Sequence, residues 1–266
     1  MNPALFDAHN HLQDERLQPY LQTMLEATRR ENIKRMVVNG STEGDWAAVL
    51  GLASRFPEVL PSCGLHPWYV KERSPEWQKN LITCLDRCPA GIGEIGLDRW
   101  IEGHDLVDQS EVFAWQLRLA AERNVPASIH CLQAWGKLLQ ILQSNPRPAC
   151  GFLLHSFGGP RELVEPLAAL GAYFSFPGYF AHDRKRRQRE TFRTVPPNRL
   201  LIETDAPDQL LPVPRYPLQA EGKPLNHPAN LVAVYQFAAD WFGDDVETLA
   251  LRVQDNFRRL FGGLMS

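Results

Sequence analysis

The chain has 266 residues, of which 44% are hydrophobic and 22% are charged, and its formal net charge is −3. This composition excludes a disordered or collagen-like chain, and the small negative charge argues against nucleic-acid binding by the surface as a whole, although a local basic patch could still act. No signal peptide is evident and no apolar run approaches the roughly 20 residues of a membrane span. With an odd count of five cysteines, reduced thiols are the simplest interpretation. We therefore expect a cytoplasmic protein with no membrane contact and no evident obligate protein partner.

Short apolar segments alternate with longer amphipathic segments, which predicts eight strand–helix units. The predicted strands cover residues 5–11, 34–41, 59–66, 90–97, 126–131, 151–156, 172–176 and 200–205. The predicted helices cover residues 15–31, 43–55, 75–87, 108–123, 134–143, 161–170, 183–193, 229–242 and 246–261. Asn32, Asn124 and Gly171 each precede a strand, where a left-handed residue can close a helix. The alternation predicts one α/β domain over residues 1–266, a (β/α)8 TIM barrel, with 208–228 as its single long connection.

Residues able to do chemistry follow the predicted strands at their carboxyl ends, where a barrel carries its active site. They are His9 and His11 at the end of the first strand, Glu94 on the fourth, His130 on the fifth, His155 on the sixth and Asp205 on the eighth. Taken singly, each has a structural alternative, since a lone histidine is more often a satisfied core residue and a carboxylate can form a salt bridge. Six such ligands are too many for one tetrahedral zinc and suit two divalent metal ions that share a bridging carboxylate. Glu203 could hold an imidazole from behind.

Further candidates concern the substrate. His66 follows the third strand and could contact the substrate or a bound phosphate, or simply cap the chain before Pro67. Three tryptophans follow three of the motifs and could stack bases or pack between loops: Trp68, Trp100 and Trp135. A basic run follows the seventh strand and could hold a phosphate backbone or form a solvated helix face: Arg184, Lys185, Arg186 and Arg187, with Arg189 and Arg193.

The segments DAHNHL, GLHPW, GEIGLD, IHC, HSFGG and ETDAP occur in this order between residues 7 and 207. In this combination, together with the later PLNHPANL, the chain resembles the TatD family of metal-dependent deoxyribonucleases over nearly its whole length. The resemblance implies that His9, His11 and Asp205 bind one metal, that His130 and His155 bind another, and that Glu94 bridges them. It also implies Mg²⁺, Mn²⁺ or Zn²⁺ as the ions and 3′-to-5′ exonuclease action on DNA, with single strands as the expected substrate.

Two departures from the family pattern lie on the substrate side and leave the ligands intact. After His130 the family usually has an arginine and an acidic residue, whereas this chain has Cys131, Leu132 and Gln133. After the GLHP segment a second histidine is common, whereas this chain has Trp68. Both departures bear on substrate preference.

The sequence thus predicts hydrolysis of a phosphodiester by a metal-activated water, with Asp205, Glu94 and His66 in catalytic roles and Asp205 accepting the proton of the water. The chain has no G-x-S-x-G elbow and no phosphate-binding P-loop. An amidohydrolase-like barrel enzyme acting on a small amide, lactone or phosphoester remains an alternative. Barrels with a carboxylated lysine carry it at the end of the fourth strand, where Glu94 stands here. A non-enzymatic binding protein is a second alternative, although such a chain should have lost some of the six ligands.

Overall fold

Eight parallel strands follow one another around a barrel in the computed structural model, which describes residues 3–265. They are β1 (Leu5–Asn10), β2 (Ile33–Asn39), β3 (Val59–Ser62), β4 (Ile92–Asp98), β5 (Ala127–Leu132), β6 (Phe152–Leu154), β7 (Ala172–Pro177) and β8 (Leu200–Glu203). All eight are buried along their length save for parts of β2 and β5, as is expected of parallel strands that are covered on both faces.

Two seams close the barrel between the ladders β1–β2–β3 and β4 to β8. At the first seam the N–H of Cys63 donates to the carbonyl of Gly91 at 3.1 Å, and the N–H of Gly93 donates to Cys63 at 3.2 Å. At the second seam the N–H of Asp205 donates to the carbonyl of His9 at 2.9 Å, just past the end of β8. The predicted (β/α)8 barrel is therefore confirmed, and the second seam brings the first and last motifs of the sequence side by side.

Helices connect the strands on the outside of the barrel. They are α1 (Leu21–Arg30), α2 (Trp46–Arg55), α3 (Trp77–Leu85), α4 (Leu106–Arg123), α5 (Trp135–Ser144), α6 (Val164–Ala169), α7 (Arg186–Phe192), α8 (Leu231–Phe242) and α9 (Val246–Phe261). The longest, α4, begins where the carboxylate of Asp105 accepts the N–H groups of Val107 and Asp108, and it ends at the left-handed residue Asn124. Asn32 and Gly171 also have positive φ, as predicted for helix-closing residues. Among the described residues, every helix is too short or too polar to cross a membrane.

Several predicted segments differ from the structure in their bounds: the strand predicted for residues 59–66 ends at Ser62, and the helix predicted for residues 161–170 begins only at Val164. The helix predicted for residues 15–31 begins only at Leu21, because Pro19 lies in a short 3-10 turn, Gln18–Tyr20, that precedes it. The long connection at 208–228 is not irregular throughout, since it contains an antiparallel hairpin of β9 (Pro217–Ala220) and β10 (Lys223–Asn226). The turn residues Glu221 and Gly222 both have positive φ, which is the conformation of a two-residue hairpin turn.

The last two helices pack against β1 and β8 and cover the second seam. The hydroxyl of Tyr235 on α8 is fully buried, donates to the carbonyl of Phe6 at 3.0 Å and accepts the N–H of Phe6 at 3.2 Å. One phenol therefore satisfies both main-chain groups of a buried strand residue, which would otherwise lack partners.

We expect Tyr235→Phe to lower the free energy of unfolding by about 1–3 kcal/mol, because it leaves two buried main-chain groups unpaired while it keeps the ring. Urea unfolding followed by circular dichroism measures the change. Tyr20→Phe is the matched control, since its hydroxyl donates to Gln219 at the surface, and it should stay within about 0.5 kcal/mol of the parent protein. Equal effects of the two substitutions would contradict this role of Tyr235.

Candidate metal centre

Side chains from five strand ends converge at the carboxyl end of the barrel. His9 lies on β1, Glu94 on β4 and His130 on β5, while His155 directly follows β6 and Asp205 lies two residues after the end of β8. Gly96 on β4 pairs with His130 on β5, and this pairing sets how deep the His130 imidazole lies in the barrel. Only glycine fits at position 96, because a Cβ would lie 1.9 Å from the His130 carbonyl oxygen. The structure thus brings together the six residues that the sequence suggested as ligands, with His11 one residue beyond the end of β1.

Glu94 lies at the centre of this cluster and turns its two oxygens toward different imidazole pairs. Its Oε2 lies 3.4 Å from His9 Nε2 and 3.2 Å from His11 Nε2. Its Oε1 lies 3.1 Å from His130 Nδ1 and 2.8 Å from His155 Nε2. This is the arrangement that a carboxylate needs to bridge two cations.

The donor atoms around Glu94 Oε2 have spacings that suit a divalent ion. The Nε2 atoms of His9 and His11 lie 3.2 Å apart, and Asp205 Oδ1 lies 3.7 Å and 3.5 Å from them. Four ligands at the usual zinc distance would be separated by about 3.3–3.4 Å in a tetrahedron. The ligand atoms of His9, His11 and Asp205 all lie within 4.8 Å of one another. These residues therefore fit a metal ion.

The donor atoms around Glu94 Oε1 form a second group, in which His66 differs from His130 and His155 in the nitrogen that carries its hydrogen. His130 Nδ1 and His155 Nε2 lie 3.3 Å apart, and His66 Nε2 lies 3.3 Å from Glu94 Oε1. However, His66 Nδ1 accepts the main-chain N–H of Trp68 at 3.1 Å. Its hydrogen must therefore be on Nε2, so a neutral His66 presents an N–H donor to the site rather than a lone pair for a metal.

Groups behind the imidazoles fix which nitrogen faces the centre. His11 Nδ1 lies 2.8 Å from the carbonyl oxygen of Asn39, and His130 Nε2 lies 2.9 Å from Asp98 Oδ2. Since both partners only accept, each imidazole keeps a hydrogen on the outer nitrogen, so that in the neutral ring the inner nitrogen has the lone pair that a cation beside Glu94 requires. Glu203 has the predicted position behind His155, with 3.8 Å between Oε1 and Nδ1, and it also accepts the N–H of Ser156 at 2.8 Å.

The charges of the site support this organisation. Burial opposes ionisation of Glu94, yet the surrounding imidazoles, led by His155, hold its pKa well below the usual range. Burial raises the pKa of Asp205 to about 7, against the influence of His155 and His11. Burial also lowers the pKa of His66 to about 4, so that this imidazole is neutral at pH 7. The centre therefore holds one firmly ionised carboxylate, which requires positive charge beside it.

Three residues with direct contacts to the cluster were missed from the sequence. Asp98 shares the alternation phase of Glu94 on β4, so the strand period could have identified it. Asn39 places its side-chain amide 3.1 Å from His9 Nδ1, at the end of β2. Gln209 Nε2 donates to Asp205 Oδ2 at 2.6 Å from a loop position with positive φ, and no local sequence signal indicates that contact.

The three candidate tryptophans have different surroundings. Trp68 is 45% exposed and Trp100 is 67% exposed, so both offer ring surface beside the loops of the carboxyl end. Trp135 instead packs edge-on against buried Phe157, with 4.8 Å between ring centroids. Only the first two therefore remain available to a ligand.

The basic run after β7 divides into two groups. Arg184 and Lys185 flank the ring of Tyr179, with their charged groups 5.1 and 4.8 Å from its centroid, and Arg186 is exposed beside them. Arg189 is buried, and its guanidinium donates to the carbonyls of Phe180 and His182.

Arg193 is exposed, pairs with Glu190 at 3.4 Å, and has its guanidinium 4.6 Å from the ring centroid of Trp241 on α8. Buried Arg189 therefore has a packing role, whereas the phosphate contact predicted for Arg193 stays a prediction.

Comparison with known proteins gives relatives that match along most of the chain. A family model described as TatD related DNase matches residues 6–262. The 3′-5′ ssDNA/RNA exonuclease TatD of Escherichia fergusonii is 31% identical over 236 residues, which cover 86% of this chain and 88% of that protein. The metal-dependent hydrolase YcfH of Escherichia coli K12 is 32% identical over 261 residues, which cover 97% of this chain and 95% of that protein.

A solved structure agrees with this assignment. The crystal structure of YJJV, a TatD homolog from Escherichia coli K12, superimposes with a TM-score of 0.88 at 25% identity and covers 98% of this chain and 99% of that one. The chain belongs to the TatD-related DNase family.

Proposed function

We propose that the chain is a 3′-to-5′ exonuclease that hydrolyses phosphodiester bonds of single-stranded DNA or RNA with two divalent metal ions. The observation that carries the proposal is the position of Glu94, whose two oxygens face two separate imidazole pairs within 3.4 Å. Relatives that are named single-stranded DNA/RNA exonucleases and metal-dependent hydrolases support the reaction class.

The proposed ligands divide between two ions. His9, His11 and Asp205 would hold the first, His130 and His155 would hold the second, and Glu94 would supply one oxygen to each. When bound, two such ions lower the pKa of a water molecule and offset negative charge on the phosphate. Mg²⁺, Mn²⁺ and Zn²⁺ are the candidates.

Two side chains are assigned roles that involve a proton, Asp205 as an acceptor and His66 as a hydrogen-bond donor. Asp205, whose Oδ2 accepts a hydrogen bond from Gln209, is the proposed acceptor of the proton of the attacking water, because its Oδ1 lies 3.7 and 3.5 Å from His9 and His11, beside the position proposed for the first ion. His66 donates from Nε2 to a substrate oxygen, because Trp68 occupies its other nitrogen. Glu94 takes part by holding its negative charge between the two imidazole pairs.

Substrate binding is assigned to exposed groups around this centre. Trp68 offers a ring face to a base near the scissile bond. Arg184, Lys185 and Arg186 supply positive charge to the phosphates of the strand, since they follow β7 at the same end of the barrel.

We further place the protein in the cytoplasm, because an odd count of five cysteines fits a chain whose thiols stay reduced.

The experiment that tests the proposed function is release of label from 3′-labelled and 5′-labelled single-stranded DNA and RNA, with Mg²⁺, Mn²⁺ or Zn²⁺ added. We expect immediate mononucleotide release from the 3′ label, its loss with EDTA, and a fall of at least about 10²-fold in kcat for Asp205→Asn, which removes the proton acceptor. No cleavage by folded, metal-loaded protein would sink the nuclease proposal. Activity on a panel of amides, lactones and small phosphoesters would then favour the amidohydrolase-like alternative.

The bridging role of Glu94 predicts the metal content of a variant. In Glu94→Gln the amide group faces one imidazole pair with N–H donors, so we expect calorimetric titration with Zn²⁺ to fall from two ions per chain to one or none. Glu58→Gln is the matched control, a buried carboxyl paired with Arg29 at the opposite end of the barrel, and it should still bind two. Two ions bound at unchanged affinity by Glu94→Gln would exclude a bridging carboxylate.

The role of the basic group predicts a change in salt dependence. Arg184→Glu combined with Arg186→Glu should raise KM for single strands and reduce the slope of log affinity against log salt by about 1.4, since two phosphate contacts are lost. Lys34→Glu, exposed at the amino end of β2, should leave both quantities at the parent values. An unchanged slope in the double variant would show that the nucleic-acid strand does not contact Arg184 and Arg186.

A further inference from the structure

The indole of Trp68 joins the surface to the interior of the centre. The side chain is 45% exposed, yet its Nε1 donates to Asp98 Oδ2 at 2.7 Å, and Asp98 is completely buried. One edge of the ring is therefore fixed inside the barrel while its face remains open to solvent.

Asp98 accepts hydrogen bonds on both of its oxygens. Oδ2 accepts the indole N–H of Trp68 and the Nε2–H of His130, at 2.7 and 2.9 Å. Oδ1 accepts the main-chain N–H groups of Trp100 and Ile101, at 2.7 and 3.2 Å. Four donors leave this buried carboxylate with one orientation, because a rotation would leave several of them unpaired.

The orientation of the Asp98 carboxylate determines which ring nitrogen of His130 carries the hydrogen. With one hydrogen on Nε2 directed at Asp98, the neutral ring has its lone pair on Nδ1, which lies 3.1 Å from Glu94 Oε1 and is therefore available to a cation beside that oxygen. The rings of Trp68 and His130 are also close, with 6.4 Å between centroids. A shift of the indole therefore moves the acceptor that holds His130 in place.

From this chain of contacts we infer that Trp68 is a positioning residue for His130, acting through Asp98, in addition to any contact with substrate. The inference rests on the proposed two-metal function for its consequence, since the nitrogen so directed is the proposed ligand atom of the second ion. Partners of this kind orient metal-binding imidazoles and affect metal affinity without touching the ion. The ring face and the N–H group of one side chain then have separable roles, the first toward a base and the second toward the metal centre.

Two substitutions separate those roles. Trp68→Phe keeps an aromatic face and removes the N–H donor. Trp68→His keeps a donor and removes the large face, because imidazole Nε2 is reached from Cβ through the same number of bonds as indole Nε1. The measurements are calorimetric titration of the chelator-stripped full-length chain with Zn²⁺ at pH 8, and KM for a single-stranded oligonucleotide.

If Trp68 positions His130 through its N–H, zinc affinity follows the donor. We expect Trp68→Phe to weaken one of two zinc sites about 3- to 10-fold, as loss of one hydrogen bond would, whereas Trp68→His retains the parent affinity. KM should follow the ring face, rising about 5-fold or more in Trp68→His and little in Trp68→Phe. Asp98→Asn, which presents an amide N–H to facing donors, should weaken the same zinc site about 10- to 100-fold.

Trp100→Phe is the matched control, since Trp100 is exposed and only its main-chain N–H contacts Asp98; its zinc affinity should equal that of the parent. Unchanged zinc affinity in Trp68→Phe overturns the inference, as does an equal loss in Trp68→Phe and Trp68→His, which would indicate general packing. The donor-dependent pattern without nucleic-acid cleavage would support the positioning role and overturn the exonuclease proposal. A parent chain that binds no Zn²⁺ overturns both.

Discussion

A buried carboxylate whose oxygens face different imidazole pairs is the interaction on which the rest of the centre depends. Glu94 is nearly inaccessible to solvent, and its charge is stable only because imidazole nitrogens approach it from both sides. The barrel makes this possible, since the ends of its strands face a common centre, where one side chain on β4 reaches the group on β5 and after β6 as well as the group on β1 and after β8. A small rotation of that side chain would break both halves of the arrangement at once.

The closing seam between β8 and β1 also helps to assemble the centre. It brings Asp205 beside His9 through a main-chain hydrogen bond of 2.9 Å. Next to it, Asp7 accepts both the N–H and the hydroxyl of Thr204, at 2.9 and 2.6 Å. The contacts that close the barrel and the contacts that assemble the first ligand group are therefore the same, so local stability and metal binding are coupled in this region.

The sequence was informative where a regular period relates residues to a face. Alternation along β1 and β4 was enough to place His9 and Glu94 in the interior, and their position at strand ends was enough to bring them together. The hairpin after β8 was not predicted, because its prolines read as a loop and its turn depends on positive φ at Glu221. Gln209 and the inward N–H of Trp68 were missed for a similar reason, since loop conformation, rather than any period, sets both contacts.

The distance along the chain between the two sides of the closing seam has a consequence for synthesis of the protein. The bond between Thr204 and Asp7 joins residues 197 positions apart. At a translation rate of about 5–20 residues per second, β1 and its two histidines wait on the order of 10–40 s for the strand that completes their ligand group. A nascent chain therefore exposes an unfinished set of the proposed ligand imidazoles to the cell for most of its time on the ribosome, and on the proposed function capture of an ion in the final geometry belongs to the end of synthesis.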